Sequence, residues 1–145
     1  MTRREGRLPQ RDGDALLETS HTCLFCLMPS SMKVPELLAP AGDPGSFNVA
    51  LAAGADAIYC ALGNDFNARR KASNFTPDSF EAACQRAHLA GVRVYVTTNI
   101  VIKSEEMPRA LALAREAWLL GADALIIQDW GLLFELRHRS PQMEI

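Results

Sequence analysis

The chain has 145 residues, of which 48% are hydrophobic and 22% are charged, and its formal net charge is −2. This length is enough for one domain with a real core, and this charge excludes nucleic-acid binding through a global basic field. No apolar stretch reaches the ~20 residues of a membrane span, so we expect no membrane partner. We take the cytoplasm as the compartment, because a disulfide framework does not suit so apolar a chain.

The first 31 residues differ in composition from the rest. They begin with a run rich in Arg, Gly, Asp and Glu that has no apolar period. We interpret residues 1–31 as a disordered or non-native extension, and residues 32–145 as the folded domain. Met32 directly precedes the first predicted strand and resembles a natural start.

Four cysteines occur in the sequence. Cys23 and Cys26 have the C-x-x-C spacing of metal and redox sites, but a four-ligand site needs a second pair. Cys60 and Cys84 are not spaced to supply it, so we predict no metal site and no cofactor within this chain. In a predicted strand and a predicted helix, they are typical of small buried hydrophobic residues.

The stretch from Pro35 to Gly63 predicts one complete strand–helix–strand unit. Residues 36–39 and 57–62 are short apolar runs of the kind that form buried strands. Asp43 is suited to cap the intervening helix, and Gly54 to end it in a left-handed conformation. Two such runs joined by a helix predict parallel strands. The helical spacing predicts an apolar face of Phe47, Val49, Ala50, Leu51 and Ala53.

The same unit then repeats along the chain. Gly54, Gly91 and Gly121 each end a predicted helix and lead into a strand, and they lie 37 and 30 residues apart. This spacing is about the length of a βα unit. The remaining predicted elements are a helix from Thr76, a strand at 93–98, a helix from Ser104, a strand at 124–128 and a helix at 131–139.

These units predict an α/β fold with parallel (β/α) repeats. The chain contains no return to its first strand, and Gln142 to Ile145 resembles the start of a fifth strand. We therefore expect the amino-terminal half of a TIM-barrel-like domain, truncated at strand 5, with an open flavodoxin-like sheet as the alternative. A half barrel has two unpaired edges, so we expect the missing C-terminal half or a homo-oligomer to cover them.

Candidate binding residues follow the predicted strand ends, where parallel α/β folds hold their ligands. The loop from Asp65 to Phe75 contains the cationic run Arg69, Arg70 and Lys71, flanked by Phe66 and Phe75. Such a run suits phosphate or carboxylate, and the rings suit base stacking. The alternative is a solvated loop with both phenylalanines packed beneath it.

Asn99 and Asp129 also follow strand ends and are candidates to bind or polarise a ligand. Asp129 has a second interpretation as the cap of the helix that begins near Gly131. We predict a structural role for His88, which lies near the end of a helix. The residues alone supply no complete pair of nucleophile and base.

At this point the sequence resembles a known family. The blocks that carry the likeness are E-L-L-A-P-A-G-D, F-N-A-R-R, A-H-L-A-G-V-R-V-Y-V-T-T-N and G-A-D-A-L-I-I-Q-D-W-G-L-L. In order and spacing they resemble the amino-terminal part of the collagenase-like peptidase family U32. The likeness runs from about Val34 to the end.

The resemblance implies a barrel enzyme that acts on peptides or on RNA, including hydroxylation of tRNA uridine. It also implies a [4Fe-4S] cluster in hydroxylating members, held by four cysteines downstream of this region. None of the four cysteines here occupies those positions. On the matching blocks, the resemblance implies that Asn67, Arg69, Asn99 and Asp129 bind substrate.

Three hypotheses about function follow. In the first, the chain is part of a barrel enzyme of that family, and we expect it to be inactive alone. In the second, it is a stand-alone α/β module that binds an anionic ligand through residues 65–75. In the third, it is an inactive fragment. Peptide hydrolysis needs an activated nucleophile or a metal-bound water, and neither is visible here. RNA modification agrees better with the cationic loop.

Overall fold

A computed structural model describes residues 34–69 and 73–145. The predictions for residues 1–31, for Cys23 and Cys26 and for Arg70 and Lys71 fall outside the described residues. The described part alternates strands with helices. In chain order the elements are β1 (Leu38–Pro40), α1 (Pro44–Ala52), β2 (Ala57–Cys60), α2 (Pro77–Leu89), β3 (Arg93–Thr98), a 3₁₀ turn (Ser104–Glu106), α3 (Met107–Leu119), β4 (Ala124–Ile127) and α4 (Trp130–Arg139).

The four strands form one parallel sheet in the order β1-β2-β3-β4. The α/β prediction is therefore confirmed. The flavodoxin-like alternative is wrong, because that fold places its first strand between the second and the third. Here the strands lie side by side in chain order, so β2 is between β1 and β3.

Local sequence signals set the beginnings of the helices. Asp43 caps α1, and its carboxylate accepts a hydrogen bond from the N–H of Ser46 at 2.8 Å. Thr76 caps α2 in the same way, with Ser79 as the reciprocal partner. Each cap precedes a proline in the first turn, where its missing N–H costs nothing. Both predicted starts are confirmed.

All four helices pack on the same face of the sheet. Strand residues alternate between two faces, and Ile58, Val94 and Leu125 share one face through the register of β2, β3 and β4. These residues belong to a single core cluster with buried side chains from every helix. The helical members include Phe47, Ala50, Phe80, Ala83, Cys84, Ala87, Ala110, Ala114, Ala117, Leu132 and Leu136.

The opposite face of the sheet has no helix packed on it within the described residues. Tyr59 lies beside Tyr95 on this face, and both are only half-buried. Leu38, at the start of the free edge strand, is exposed. A sheet with helices on one face leaves the other face open to a further layer, or to closure of the sheet on itself.

The last residues of the chain continue the sheet beyond β4. Glu144 forms a parallel bridge with Ala124, and the N–H of Leu125 donates to the carbonyl of Glu144 at 3.0 Å. This single bridge lies within the four residues predicted to begin a fifth strand, on the edge of β4 away from β3.

Two aspartates join neighbouring strands at the amino-terminal edge of the sheet. Leu37 and Asp56 exchange two hydrogen bonds, because the Leu37 N–H donates to the Asp56 carboxylate at 2.8 Å and the Asp56 N–H donates to the Leu37 carbonyl at 3.0 Å. Val94 and Asp123 do the same at 2.7 and 2.8 Å. The Asp123 carboxylate also contacts the His88 imidazole at 3.0 Å, which supports the structural role predicted for His88.

Some predicted boundaries differ from the structure. β1 begins at Leu38 rather than Glu36, because Leu37 is engaged by Asp56 instead of by a ladder partner. β2 ends at Cys60, and Leu62 forms a separate bridge with Phe75. Val49 and Ala53 were predicted on the apolar face of α1, but both are exposed, so that part of the prediction is wrong. None of the helices in the described ranges is long and apolar enough to cross a membrane.

Candidate functional site

A cavity of about 220 Å³ opens at the carboxyl end of the sheet. It lies where β1, β2 and β3 end, which is the edge that binds ligands in parallel α/β folds. Its lining comprises Ala41, Gly42, Tyr59, Cys60, Ala61, Asn67, Ala68, Arg69, Asn74, Thr97 and Asn99. We call this cavity the strand-end pocket.

The loop after β2 forms one wall of the strand-end pocket. At its base the N–H of Gly63 donates to the Phe75 carbonyl at 2.9 Å, and the Phe75 N–H donates to the Ala61 carbonyl at 3.2 Å. One residue further in, the Asn74 side-chain amide donates to the Asn64 side-chain oxygen at 3.0 Å. These bonds close the loop at its neck, and Asn67, Ala68 and Arg69 lie in it beside the pocket.

Asn67 is the most unusual residue of the pocket. Its side chain is almost fully buried, with 1% exposure, yet neither its oxygen nor its nitrogen has a hydrogen-bond partner among the described residues. Leaving buried polar groups unpaired costs free energy, so such groups need an explanation. Because Asn67 lines the cavity, its amide is suited to give one donor and one acceptor, side by side, to a ligand.

The backbone before Asn67 is strained. Phe66 has φ of 59°, in the left-handed region that a bulky side chain rarely adopts. Its ring is buried, which holds it beneath the loop. Strain of this kind persists only where the surroundings enforce it, and it is common at binding sites.

Asn99 holds the loop from the end of β3. Its side-chain oxygen accepts a hydrogen bond from the backbone N–H of Ala68 at 3.1 Å. Because the oxygen faces that N–H, the amide nitrogen is the atom left to donate elsewhere. Asn99 therefore anchors the loop and offers a donor to the strand-end pocket.

The pocket carries positive charge. Arg69 is exposed and lines it, and none of the other described lining residues is an aspartate or a glutamate. The Thr97 hydroxyl donates to the Cys60 carbonyl at 3.2 Å, so it presents only acceptor capacity to a ligand. Arginine and free amides in a site without carboxylates favour an anionic or neutral polar ligand.

Cys60 and Cys84 are buried free cysteines, and Cys60 lines the pocket. Burial and the neighbouring Cys84 thiol raise the pKa of Cys60 to about 12. Burial and the charge of Asp123 do the same for Cys84, whose pKa is also about 12. Since the thiolate is both the nucleophile and the metal ligand, neither cysteine suits nucleophilic attack or an iron–sulfur cluster. Within residues 34–69 and 73–145, no three His, Cys, Asp or Glu side chains are grouped to hold a metal ion.

Asp129 does not line the strand-end pocket. One carboxylate oxygen caps α4 through the N–H of Leu132 at 2.9 Å, and the other accepts from the N–H of Ile102 at 3.0 Å. Hydrogen bonds from Ile102, Leu132 and Gly131 hold the pKa of Asp129 below its ordinary value. The capping interpretation is confirmed, and a ligand role for Asp129 stays a prediction.

The structure thus brings together three of the four predicted site residues, namely Asn67, Arg69 and Asn99. The base-stacking prediction for Phe66 and Phe75 is wrong, because their rings are only 5% and 1% exposed. Phe75 packs edge-on against Phe47 and Phe80 in the core. Both rings pack beneath the loop, as the alternative predicted for them.

Sequence reasoning overlooked two lining residues. Asn74 was not among the predicted site residues, although it has φ of 33° and closes the loop neck. Tyr59 was considered only as a strand residue. The available signal was its place near the carboxyl end of β2, on the face opposite the buried Ile58.

The sequence is similar to those of a known protein family and of several individual proteins. The profile described as Peptidase family U32 matches residues 42–145. A 23S rRNA 5-hydroxycytidine synthase of Escherichia coli is 40% identical over 116 residues, which cover 76% of this chain and 17% of that protein. The tRNA hydroxylation protein P1 of Bacillus subtilis is 38% identical over 119 residues, or 78% of this chain and 26% of that protein.

A third relative has a different kind of name. An uncharacterized protease of Methanocaldococcus jannaschii is 33% identical over 102 residues, covering 70% of this chain and 25% of that protein. The chain thus spans between 17% and 26% of the length of these three relatives.

Proposed function

This chain belongs to peptidase family U32, and we propose from that premise that it is the nucleotide-binding part of an RNA-hydroxylating enzyme. The observation that carries the proposal is the buried amide of Asn67 in the strand-end pocket, which has no hydrogen-bond partner among the described residues. The names of two relatives, an rRNA 5-hydroxycytidine synthase and a tRNA hydroxylation protein, support the choice of RNA.

The chemistry of the pocket suits one pyrimidine nucleotide. A pyrimidine presents a donor and an acceptor side by side on its Watson–Crick edge, which complements the free oxygen and nitrogen of Asn67. Arg69 then serves the adjacent phosphate, and Asn99 offers a further donor. At about 220 Å³ the cavity suits a single base better than a stretch of strand.

Hydroxylation itself is assigned to the whole protein and not to the described residues. A [4Fe-4S] cluster, as the family resemblance implies, needs thiolate ligands that Cys60 and Cys84 are not suited to supply. The proposal therefore gives this chain three tasks, which are to bind the nucleotide, to orient it and to hold it at the sheet edge.

We also propose that the sheet is the first half of a closed (β/α)₈ barrel. Chain-order pairing of the strands, helices on a single face and the half-buried tyrosines on the other face all support closure. The parallel bridge of Glu144 to Ala124 supports continuation of the sheet beyond β4.

Calorimetric titration with uridine 5′-monophosphate and cytidine 5′-monophosphate tests the binding function. Asn67→Ala removes two ligand hydrogen bonds and is expected to weaken binding by about tenfold or more. Asn48→Ala is the matched control, because Asn48 is an exposed asparagine on α1 outside the pocket. Equal affinity in both variants, or no nucleotide binding by the protein, contradicts the proposal.

The activity is tested in cells that carry the gene. Nucleosides from total RNA are measured by mass spectrometry after deletion of the gene and after its return as wild type, Asn67→Ala or Asn48→Ala. A hydroxylated pyrimidine should disappear on deletion and return with wild type and Asn48→Ala only. Unchanged RNA, together with cleavage of a gelatin peptide by the purified protein, favours the peptidase branch instead.

A further inference from the structure

The loop that contains Asn67 separates two cavities. Asn67, Ala68 and Arg69 line the strand-end pocket, whereas the residues just before them, Asn64, Asp65 and Phe66, line a second cavity of about 370 Å³. The second cavity also includes Arg109, on the first turn of α3. The position of the loop therefore depends on contacts from the side of each cavity.

Arg109 contacts this loop from the side of the second cavity. Its guanidinium donates to the carboxylate of Asp65, and its Cζ lies 5.5 Å from the centre of the Phe66 ring. These contacts fix the two residues that precede Asn67 in the chain. On the inner side, Asn99 fixes the residue that follows Asn67 through the Ala68 N–H.

We propose that Arg109 is a positioning residue for the strand-end pocket, which holds Asn67 in its binding orientation without touching the ligand. The nucleotide part of its test rests on the function proposed above, but the positioning itself does not. Phe66 is in the left-handed region, and relaxing it would turn the chain at Asn67. The contacts of Arg109 with the Asp65 carboxylate and with the Phe66 ring oppose that relaxation.

The exposure of the ion pair separates this role from a purely structural one. Both side chains are 62% exposed, and exposed ion pairs contribute little to global stability. Loss of Arg109 should therefore leave the melting temperature nearly unchanged while it loosens the loop. Salt screens exposed charges, so high salt should loosen the loop of the wild type in the same way.

The test compares Arg109→Gln with Arg115→Gln, which neutralises another exposed arginine on α3. Hydrogen exchange at the Ala68 amide reports the loop directly. Arg109→Gln should speed this exchange by about fivefold, and 1 M NaCl should speed it in wild type but not in Arg109→Gln. Arg115→Gln should behave as wild type. Asp65→Asn should reproduce Arg109→Gln, and the double variant should add nothing further.

Titration with uridine 5′-monophosphate forms the second arm. Weaker binding together with faster exchange supports the positioning role. Faster exchange in a protein that binds no nucleotide supports the positioning role and overturns the proposed function alone. Exchange at Ala68 that is unchanged by Arg109→Gln overturns the positioning role, whatever happens to binding. A fall in melting temperature equal to that of a core substitution such as Phe80→Ala also overturns it.

Discussion

The side-chain oxygen of Asn99 accepts the backbone N–H of Ala68 at 3.1 Å, across 31 residues of sequence. This bond ties the end of β3 to the loop that follows β2 and sets which atom of the Asn99 amide faces the pocket. Asn99 anchors the loop, and under the proposed function it has a second, separable role as a hydrogen-bond donor to the ligand.

Two substitutions separate these roles. Asn99→Asp keeps an oxygen that accepts from Ala68 but replaces the donor with a negative charge, so the loop should stay in place while nucleotide binding is lost. Asn99→Ala removes both functions, so exchange of the Ala68 amide should also rise. The measurements are hydrogen exchange and titration with uridine 5′-monophosphate. Nucleotide binding by Asn99→Asp as tight as in wild type would rule out the donor role.

Asn67 should show opposite effects on stability and binding. An unpaired buried amide costs about 1–3 kcal/mol, so Asn67→Ala should leave the free energy of unfolding unchanged or raise it, while nucleotide binding falls. Urea denaturation and titration give the two quantities. A clear loss of stability with binding intact would show that Asn67 is a structural residue whose partners lie outside the described part.

Asp129 should stabilise the protein in a pH-dependent way. Its folded-state pKa is lowered by hydrogen bonds from Ile102, Leu132 and Gly131, so its ionised form stabilises the fold above the ordinary pKa of about 4 and loses this effect as pH falls. Asp129→Ala should cost about 1–2 kcal/mol at pH 7 and progressively less in acid. Urea unfolding of wild type and Asp129→Ala between pH 7 and pH 3 measures this difference in the free energy of unfolding.

The control for this series is Asp78→Ala, a substitution in the first turn of α2 at an exposed carboxylate. Its effect should be smaller at pH 7, because Thr76 rather than Asp78 caps that helix. A constant difference between wild type and Asp129→Ala at all pH values would contradict the assignment of the pH dependence to Asp129.

Asp123 should contribute to stability and not to binding. Asp123→Ala leaves the Val94 N–H without its carboxylate acceptor, and should lower the free energy of unfolding by about 1–3 kcal/mol. His88→Ala removes only the exposed partner, and should cost under about 1 kcal/mol. Nucleotide affinity should stay constant in both variants, because Asp123 precedes β4 at the edge of the sheet opposite the pocket.

The burial of Cys60 and Cys84 leads to a prediction about stability at high pH and about thiol reactivity. Burial raises the pKa of both Cys60 and Cys84 to about 12, so their contribution to stability is present below the unfolded-state pKa of about 8.5 and is lost as pH rises toward 12. In a Cys23→Ser, Cys26→Ser background, Ellman's reagent at pH 8 should react with neither thiol until urea unfolds the chain. Rapid labelling of the native protein would contradict the burial of both side chains.

The sequence determined the elements of this fold, because the signals for each are local. Asp43 and Thr76 sit beside the prolines that begin their helices, and Gly54, Gly91 and Gly121 adopt the positive φ that a helix end requires. The apolar runs predicted the bounds of every strand to within two residues. The positions of the strand ends in the sequence predicted the edge of the sheet at which Asn67, Arg69 and Asn99 meet.

Only the tertiary structure decided what those residues do there. The Asn67 amide has no hydrogen-bond partner in the described part of the chain, and this depends on what surrounds its side chain. The bonds from Arg109 to Asp65 and from Ala68 to Asn99 join residues that are far apart in sequence. The capping role of Asp129 had a local signal, but its second bond, to Ile102, did not. Local geometry follows from neighbouring residues, whereas burial and hydrogen-bond partners are properties of the packed chain.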